Sequence, residues 1–308
     1  PYPPPIMKVG IIGMGWVGAS VAIATLQRGV ARTLVLHDVK EGLAEGEAMD
    51  LAHGSSFYPT CRVEAGGLDA MQDADAVVLA AGRGGEGDES RLSLLAGNAE
   101  IARSVGRQLR GFGGLVVVVT NPVDVMTQLV TEASGLDPWR VVGTGTMLDT
   151  ARLRQVLGAQ LGLDARSIHA QVLGEHGDSE VCVWSRASIG GVSLRQYPGW
   201  DPSFEPDIAG QVRRAAYEII SRKGATNHAI GLVTAFLLEA ALRGGDRVLT
   251  VTRVQSGAMG FRDVALSLPS VVTHAGVARV LEPELDPDER EALEHSAEVL
   301  RKAREDLG

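Results

Sequence analysis

Residues 8–20 read KVGIIGMGWVGAS, and this stretch constrains the fold more than any other part of the chain. An apolar run of strand length is followed by Gly13, Gly15 and Gly18 and then by a helix-forming segment. Glycines here permit a tight turn, let the backbone approach a pyrophosphate and let the helix pack on the strand. The free N–H groups of the helix favour an anion. The stretch predicts a dinucleotide-binding unit, although three glycines alone also suit ordinary turn chemistry.

The next predicted strand, TLVLHD, ends in an acid, Asp38. In a dinucleotide-binding unit, a carboxylate at this point accepts hydrogen bonds from the adenosine ribose hydroxyls. The same charge repels a 2′-phosphate, so Asp38 favours NAD over NADP. The alternative is that Asp38 only caps the segment that follows. Motif, strand and acid occur in the order that the binding unit requires, which favours NAD.

The first half of the chain alternates short apolar runs with longer helical patterns. The runs cover residues 9–12, 34–36, 76–80 and 115–119. Runs of valine without polar alternation predict strands buried on both faces, and the intervening helices then imply a parallel sheet. The predicted fold class is α/β. A doubly wound parallel sheet (Rossmann fold) is expected over residues 7–146, followed by a mixed α/β catalytic domain over residues 147–308.

The second half has a different pattern. Helical stretches are predicted over residues 147–160 and, as one long element, over about 207–243. Strand-like runs cover residues 168–173, 247–254 and 264–268. A final helix is expected to begin at Asp286-Pro287. Its predicted buried stripe consists of Leu293, Ala297, Leu300 and Leu307.

Composition excludes several classes of protein. The 308-residue chain has a formal net charge of −9 and no basic cluster, so it is a poor binder of nucleic acid or of membrane surfaces. No apolar run approaches the length of a membrane span. Cys61 and Cys182 lie far apart, which predicts no disulfide framework, no metal site and a reducing, cytoplasmic location. Residues 1–6, PYPPPI, look like a disordered leader before Met7.

Two segments of the second half carry candidate chemistry. QVLGEHGDSEV places His176 among small and acidic residues after an apolar run. GTMLDTARLR contains Asp149 and Arg152, which are three apart and therefore lie on one helical face. A single histidine is more often structural than catalytic, and this chain has seven. The residues alone therefore leave the role of His176 open.

From Met7 onward the chain resembles the L-lactate/malate dehydrogenase family, most closely its bacterial L-lactate dehydrogenases. The matching segments occur in family order over the full length: GMGWVGAS, DLAHG, AAG…ESRLSLL, TNPVDV, GTGTMLDTARLR, LGEHGDSEV and KGATNHAIG. The resemblance implies reversible, NAD-dependent interconversion of pyruvate and L-lactate. The alternatives are a malate dehydrogenase of the same family and a catalytically silent NAD-binding sensor or structural protein. The silent alternative is disfavoured because the four residues expected to be lost from such a relative are present, namely Arg91, Asp149, Arg152 and His176.

The resemblance implies a role for each catalytic position. His176 corresponds to the acid–base histidine, and Asp149 to the carboxylate that favours its charged form. Arg152 corresponds to the arginine that grips the substrate carboxylate by a two-point fork. Arg91 corresponds to a loop arginine that polarises the carbonyl group.

The resemblance also implies the residues that line the substrate and cofactor sites. Asn121 is expected to orient substrate and nicotinamide, with Thr226 and Ile230 beside them. The expected cofactor-binding residues are Gly13, Gly15, Val17, Gly18, Asp38, Gly82, Asn121, Thr144 and Ile230.

The glycine-rich segment 82–91 is too poor in apolar side chains to pack in a core. It predicts a loop that closes over the substrate, brings in Arg91 and expels water. In the family, the residue six positions before this arginine selects the substrate: it is glutamine in lactate dehydrogenases and arginine in malate dehydrogenases. Here it is Gly85, followed by the acidic Glu86. We expect pyruvate to be preferred over oxaloacetate, with tolerance for larger apolar 2-keto acids.

Two further residues bear on regulation. Arg154 and His169 match the pair that binds fructose 1,6-bisphosphate across a tetramer interface in allosteric bacterial relatives. Cations that meet their own copies repel each other unless an anion lies between them. The resemblance thus implies a homotetramer that responds to this effector. The alternative is that Arg154 lies on a helix surface and His169 caps a strand.

Overall fold

The computed structural model describes residues 7–83 and 91–308, except for the side chains of residues 91–93. In its first half, strands and helices alternate along the chain. The strands are β1 (Lys8–Ile12), β2 (Thr33–His37), β3 (Arg62–Ala65), β4 (Ala76–Leu79), β5 (Leu115–Val118) and β6 (Val141–Gly143). The helices are α1 (Trp16–Arg28), α2 (Glu41–His53), α3 (Arg91–Gln108) and α4 (Val123–Ser134).

These six strands pair in parallel in the order β3-β2-β1-β4-β5-β6. The central strands are apolar throughout, and Val77, Val78 and Val117 have no exposed surface. Helices therefore cover both faces of the sheet, as the unbroken valine runs predict. Successive strands are added on one side of β1 as far as β3 and then on its other side from β4 onward, because β1 pairs with β2 on one side and with β4 on the other. The crevice at such a reversal, outside the carboxyl ends of the strands, is where this architecture binds its ligand.

The second half contributes three antiparallel strands to the same sheet and a separate small sheet. Its strands are β7 (Ile168–Leu173), β8 (Val181–Ile189), β9 (Val192–Ser193), β10 (Arg247–Ser256), β11 (Arg262–Thr273) and β12 (Gly276–Val280). Its helices are α5 (Met147–Leu161), α6 (Glu205–Lys223), α7 (His228–Leu242) and α8 (Pro287–Glu305). β10 joins β6 at Thr252 and Gly143, so the described residues form one nine-stranded sheet. β7, β8 and β9 form the three-stranded sheet.

The predicted α/β class with a doubly wound parallel sheet is confirmed, but one predicted element is wrong. The helical stretch 207–243 is two helices, α6 and α7, separated by residues 224–227. Gly224 ends α6 with a positive φ of 86°, and its N–H donates to the carbonyl of Ile220. A residue in this conformation cannot continue an α-helix, which is the C-terminal role that glycine commonly takes.

The last helix agrees with the predicted stripe except at its end. Leu293, Ala297 and Leu300 are buried. Leu307 lies beyond the end of α8 and is only partly buried against the same core. Among the described residues, we find no helix with the length and apolarity needed to cross a membrane.

Candidate active site

The turn between β1 and α1 has little room for side chains. Gly13 has a φ of 95°, and a Cβ there would lie 2.4 Å from the backbone of Ala81. A Cβ on Gly18 would lie 1.8 Å from the carbonyl oxygen of Gly13. A Cβ on Gly15 would meet no described atom within 4 Å. Gly13 and Gly18 are therefore required by the turn itself, whereas Gly15 leaves the helix N-terminus open to a ligand.

Asp38 lies at the end of β2 and is bonded to the glycine turn. One carboxylate oxygen accepts the N–H of Met14 at 2.8 Å, and the other accepts the N–H of Lys40 at 2.9 Å. Both interpretations of Asp38 thus have a structural basis, since it orders the next segment and also borders the turn. Its position keeps a negative charge beside the cleft where a ribose would bind.

A cleft of about 770 Å³ opens at the carboxyl ends of β1, β2 and β4. Gly13, Gly15, Asp38 and Gly82 line it. Apolar side chains, including Leu43, Leu68 and Ile101, form part of the remaining wall, together with polar and charged residues such as Lys40 and Gln108. A glycine turn at a helix N-terminus, an acid at the end of the next strand and an apolar wall are the groups that a dinucleotide requires. The residues present therefore fit NAD.

The structure brings together His176 and Asp149, which are expected to be catalytic, and Arg152, which is expected to bind the substrate. The ring nitrogen Nδ1 of His176 lies 2.6 Å from a carboxylate oxygen of Asp149. The other oxygen of Asp149 accepts a hydrogen bond from Nη1 of Arg152 at 2.8 Å. Asp149 is only 1% exposed. The Asp149 carboxylate thus orients both cations at one point, and Nε2 of His176 does not take part in this contact.

The charges around His176 favour its protonated form. Burial alone would lower the pKa of His176, but the charge and hydrogen bond of Asp149, together with the charge of Asp124, raise it to about 9. Burial alone would raise the pKa of Asp149, but the charges and hydrogen bonds of His176 and Arg152 hold it below its ordinary value. At neutral pH the pair is an imidazolium and a carboxylate, which is the state needed to give a proton to a carbonyl oxygen.

The sequence analysis missed Asp124, which fixes the backbone of His176. One oxygen of Asp124 accepts the N–H of His176 at 2.7 Å, and the other accepts the hydroxyl of Thr252. Burial raises the pKa of Asp124 to about 6, although both of these hydrogen bonds oppose the shift. Asp124 lies in the TNPVDV segment, where an acid between apolar residues of a predicted core is the signal that could have identified it.

A second cavity, of about 430 Å³, is lined by His176, Asp149, Arg152 and Asn121. The backbone carbonyl of Asn121 accepts a hydrogen bond from the side chain of Asn98 at 3.0 Å. The walls also contain Leu94, Leu95 and Ile220. The cavity therefore combines a cation, a proton donor and apolar surface, which suits a small organic acid.

The remaining sequence-predicted residues are placed as follows. Thr226 lies between α6 and α7, and Ile230 lies in the first turn of α7. Val17 is in the first turn of α1, and Thr144 is buried just after β6. Gly85 lies outside the described residues. Arg91 begins α3, but its side chain also lies outside the described part of the chain.

The two residues predicted to bind an effector lie on neighbouring elements. Arg154 is on α5, and its Nε donates to the carbonyl of Ala170 on β7 at 2.9 Å. His169 is exposed on β7. Arg154 also lines a mainly apolar cleft of about 340 Å³ with residues of α7 and β10.

The doubly wound sheet, its nucleotide cleft and the adjacent cluster of histidine, aspartate and arginine define a dinucleotide-dependent oxidoreductase. Comparison with known families identifies which one. The NAD binding domain of lactate/malate dehydrogenase matches residues 7–143. The alpha/beta C-terminal domain of lactate/malate dehydrogenase matches residues 146–307. The chain belongs to the lactate/malate dehydrogenase family, and its cofactor is NAD.

Individual relatives agree over nearly the whole chain. An L-lactate dehydrogenase of Synechococcus sp. is 46% identical over 299 residues, which are 96% of this chain and 98% of the relative. One from Kosmotoga olearia is 42% identical over 98% of this chain and 96% of the relative. The crystal structure of a minor L-lactate dehydrogenase from Enterococcus mundtii, in a ligand-bound form, superimposes with a TM-score of 0.95. It is 38% identical and covers 98% of both chains.

Proposed function

We propose that this protein is an NAD-dependent L-lactate dehydrogenase, which reversibly reduces pyruvate to L-lactate. The observation that carries the proposal is the contact of His176 with Asp149 and of Asp149 with Arg152, in a cavity near the nucleotide cleft. The names of the relatives from Synechococcus sp. and Kosmotoga olearia support the choice of lactate. NADH, when bound, supplies the hydride that pyruvate accepts at its carbonyl carbon.

In this proposal, four side chains bind the substrate and transfer or stabilise charge. Arg152 grips the substrate carboxylate, because a guanidinium offers two parallel N–H groups to a carboxylate. His176 gives its proton to the carbonyl oxygen during reduction and takes it back during oxidation. Asp149 keeps the imidazole oriented and charged. Arg91, whose side chain lies outside the described residues, is assigned the stabilisation of the negative charge that develops on the oxygen.

The cofactor-binding residues support the preference for NAD. In our proposal the pyrophosphate lies on the N-terminus of α1 beside Gly15, and the adenosine ribose lies beside Asp38. Val17, Gly82, Thr144 and Ile230 complete the cofactor site, and Asn121 and Thr226 position the substrate against the nicotinamide. Asp38 would face a 2′-phosphate, so NADPH should be used far less efficiently than NADH.

The identity of residue 85 supports pyruvate as the substrate. Oxaloacetate carries a second carboxylate, and burying it requires a counter-charge. Gly85 supplies none, and Glu86 adds a negative charge. The absence of a side chain at residue 85 also leaves room for a larger apolar group on the substrate, such as that of 2-ketobutyrate.

The test is the rate of NADH absorbance loss with a panel of 2-keto acids. We expect the highest kcat/KM for pyruvate, measurable activity with 2-ketobutyrate and poor use of oxaloacetate. Gly85→Arg should raise kcat/KM for oxaloacetate, because it supplies the missing cation. A higher kcat/KM for oxaloacetate in the unmutated protein would favour malate dehydrogenase. No activity with any acid, together with retained NADH binding, would favour the silent alternative.

We further propose a cytoplasmic homotetramer that is regulated by fructose 1,6-bisphosphate. Arg154 and His169 support the effector site through their match to the family pair and through their adjacent elements, α5 and β7. The wide sequence separation of Cys61 and Cys182 favours a reducing compartment.

A further inference from the structure

The substrate cavity contains a buried acid to which the proposed mechanism gives no role. Glu180 precedes β8 on the same loop as His176, lines the same cavity as Arg152 and is 5% exposed. Its Oε1 is buried and has no hydrogen-bond partner among the described residues. Because buried carboxylates are normally hydrogen-bonded, this arrangement suits a neutral carboxyl group better than an ion.

Charged and titratable groups face Glu180 from every neighbouring element. They are Asp149 and Arg152 on α5, His176 and Asp178 on the same loop, Arg213 and Tyr217 on α6 and Cys182 on β8. Burial and the negative charge of Asp149 raise the pKa of Glu180 to about 8, against the opposing charges of His176, Arg213 and Arg152. The Nε of Arg213 is also buried and has no hydrogen-bond partner in the described part of the chain. Nη2 of Arg213 donates to the backbone carbonyl of Glu180 at 3.5 Å. Within the described residues, the Glu180 carboxyl group therefore receives no charge-assisted hydrogen bond that would hold it ionised.

The charge state of Glu180 matters because Arg152 has one carboxylate partner already. Nη1 of Arg152 is bonded to Asp149, and the proposed function requires the guanidinium also to attract the carboxylate of the substrate. A second negative charge beside it would repel the substrate carboxylate and compete for the same cation. A neutral carboxyl group at Glu180 does neither.

We propose that Glu180 is a positioning residue for the substrate carboxylate: its protonated form leaves the charge of Arg152 available to the substrate, and its ionised form opposes binding. The proton that Glu180 gains or loses is exchanged with solvent. This inference rests on the proposed 2-keto acid activity, and it applies to both directions of the reaction because pyruvate and L-lactate share the carboxylate.

Comparing the two directions separates Glu180 from His176. Loss of the His176 proton raises KM for pyruvate but not for L-lactate, since oxidation uses the neutral imidazole. Ionisation of Glu180 raises KM for both. We expect KM for both substrates to contain a common rise of about tenfold above about pH 8, which corresponds to a substrate-induced shift of one pKa unit.

The test is to measure KM and kcat in both directions, from about pH 6 to about pH 10, for the wild type and for Glu180→Gln. Glutamine keeps the shape of the side chain and cannot ionise. In Glu180→Gln we expect the common rise in KM to disappear in both directions, with little change in kcat. Glu291→Gln is the matched control, because it makes the same substitution at an exposed position on α8, outside the cavity. It should retain the wild-type pH dependence of KM.

A ratio of variant to wild-type KM that does not change with pH in either direction would overturn the role of Glu180. The same conclusion follows if Glu291→Gln removes the rise as completely as Glu180→Gln. Loss of the common rise in Glu180→Gln alone supports the proposal. If the wild type reduces none of the 2-keto acids, the proposed function itself has failed, which is a different result.

A second measurement uses the unmutated protein and so does not depend on the folding of a variant. Oxamate, a non-reactive analogue of pyruvate, is titrated into the NADH complex at about pH 8 in buffers of different ionisation enthalpy. Glu180 should take up about 0.4 of a proton on binding, whereas His176, already mostly charged, can take up only about a tenth. An uptake no greater than about a tenth of a proton would overturn the proposal.

Discussion

The protonated form of His176 is stabilised by a buried carboxylate. Asp149 is 1% exposed and contacts Nδ1 of His176 at 2.6 Å. Burial by itself lowers the pKa of His176, and Asp149 supplies the largest of the influences that raise it to about 9. The imidazolium is therefore present below about pH 9 and is lost as the pH rises through that value. Reduction of the keto acid should follow the same profile.

We predict that Asp149→Asn lowers the pH at which keto acid reduction is half lost. Asparagine keeps a hydrogen-bond acceptor near Nδ1 but removes the charge, so burial dominates and the pKa of His176 should fall by well over about one unit. The measurement is kcat/KM for pyruvate against pH. Asp164→Asn, at an exposed position beyond α5, should leave the midpoint where it is in the wild type. An unchanged midpoint in Asp149→Asn would contradict the electrostatic role of Asp149.

The sequence identified the residues expected to act on the substrate more completely than the residues that surround and support them. Spacing placed Asp149 and Arg152 on one helical face, and the structure shows their hydrogen bond. Asp124 and Glu180 lie in segments that match the family, yet neither was identified. Their importance comes from burial and from neighbours on other elements, Thr252 for one and Arg213 for the other. Local patterns do not contain this information.

The turn from β1 to α1 distinguishes glycines that the fold needs from one that the ligand needs. We predict that Gly15→Ala weakens NADH binding at least about tenfold, because a methyl group would enter the space where the pyrophosphate approaches. The free energy of unfolding should change by less than about 1 kcal/mol, since the backbone of Gly15 is extended and no described atom lies within 4 Å of the new Cβ.

Gly13→Ala is the comparison for this prediction. Its φ of 95° and the backbone of Ala81 at 2.4 Å should cost about 2 kcal/mol or more of stability. Urea unfolding and fluorescence titration with NADH measure the two effects. If Gly15→Ala bound NADH as tightly as the wild type, our placement of the pyrophosphate would be wrong.

Glu289 connects α8 to β8 through hydrogen bonds. Its buried carboxylate accepts the backbone N–H of Trp184 at 2.7 Å and of Ser185 at 2.9 Å, and it also accepts the N–H of Asp286 in the capping box. We predict that Glu289→Ala destabilises the protein by about 3 kcal/mol, because two amides of β8 lose their acceptor inside the protein. Thermal and urea unfolding measure this loss.

Glu291 is exposed and lies two residues after Glu289 on the same helix, so it provides the control for Glu289. Glu291→Ala should change the free energy of unfolding by no more than about 0.5 kcal/mol. Equal effects of the two substitutions would show that helix propensity, rather than the contact with β8, accounts for the loss.

Elements were predictable where the pattern was long and local. Four of the six parallel strands, β1, β2, β4 and β5, followed from short apolar runs, and α8 followed from its Asp-Pro start, whereas β3 and β6 were not predicted. The break between α6 and α7 was missed because residues 224–227 interrupt two helices whose apolar patterns continue on either side. β6 is only three residues long, and its pairing with β10 depends on residues more than a hundred positions away. Sequence periodicity cannot show such a contact.

At the scale of the whole molecule, the two halves share one sheet. β10, β11 and β12 extend the parallel strands beyond β6, and His176 reaches the cavity from the second half while Asn121 reaches it from the first. A division at residues 146 and 147 stays a prediction. At the predicted boundary, Thr144 and Met147 flank a turn. This turn connects the nucleotide-binding strands to α5, which carries Asp149 and Arg152.

The outer surface of the second half supports the proposed assembly. Leu232 on α7 is 57% exposed and Val248 on β10 is 46% exposed, and both line the cleft that contains Arg154. Exposed apolar side chains that cluster in this way commonly mark a protein interface. Contact of this face with another copy would also bring Arg154 close to the same cations of that copy. A sugar bisphosphate bound between them would relieve their repulsion.

We predict that Leu232→Glu shifts the protein from tetramers to smaller species in sedimentation velocity, because it places a charge in an interface that excludes water. Phe57→Glu is the matched control: it replaces another highly exposed apolar residue, outside this face, and should not change the assembly. Arg154→Gln should keep the wild-type assembly without effector but abolish the lowering of KM for pyruvate by fructose 1,6-bisphosphate. A monomeric wild type, or equal sedimentation of Leu232→Glu and wild type, would refute this interface. An unmutated protein indifferent to the sugar bisphosphate would refute the regulation and leave the interface standing.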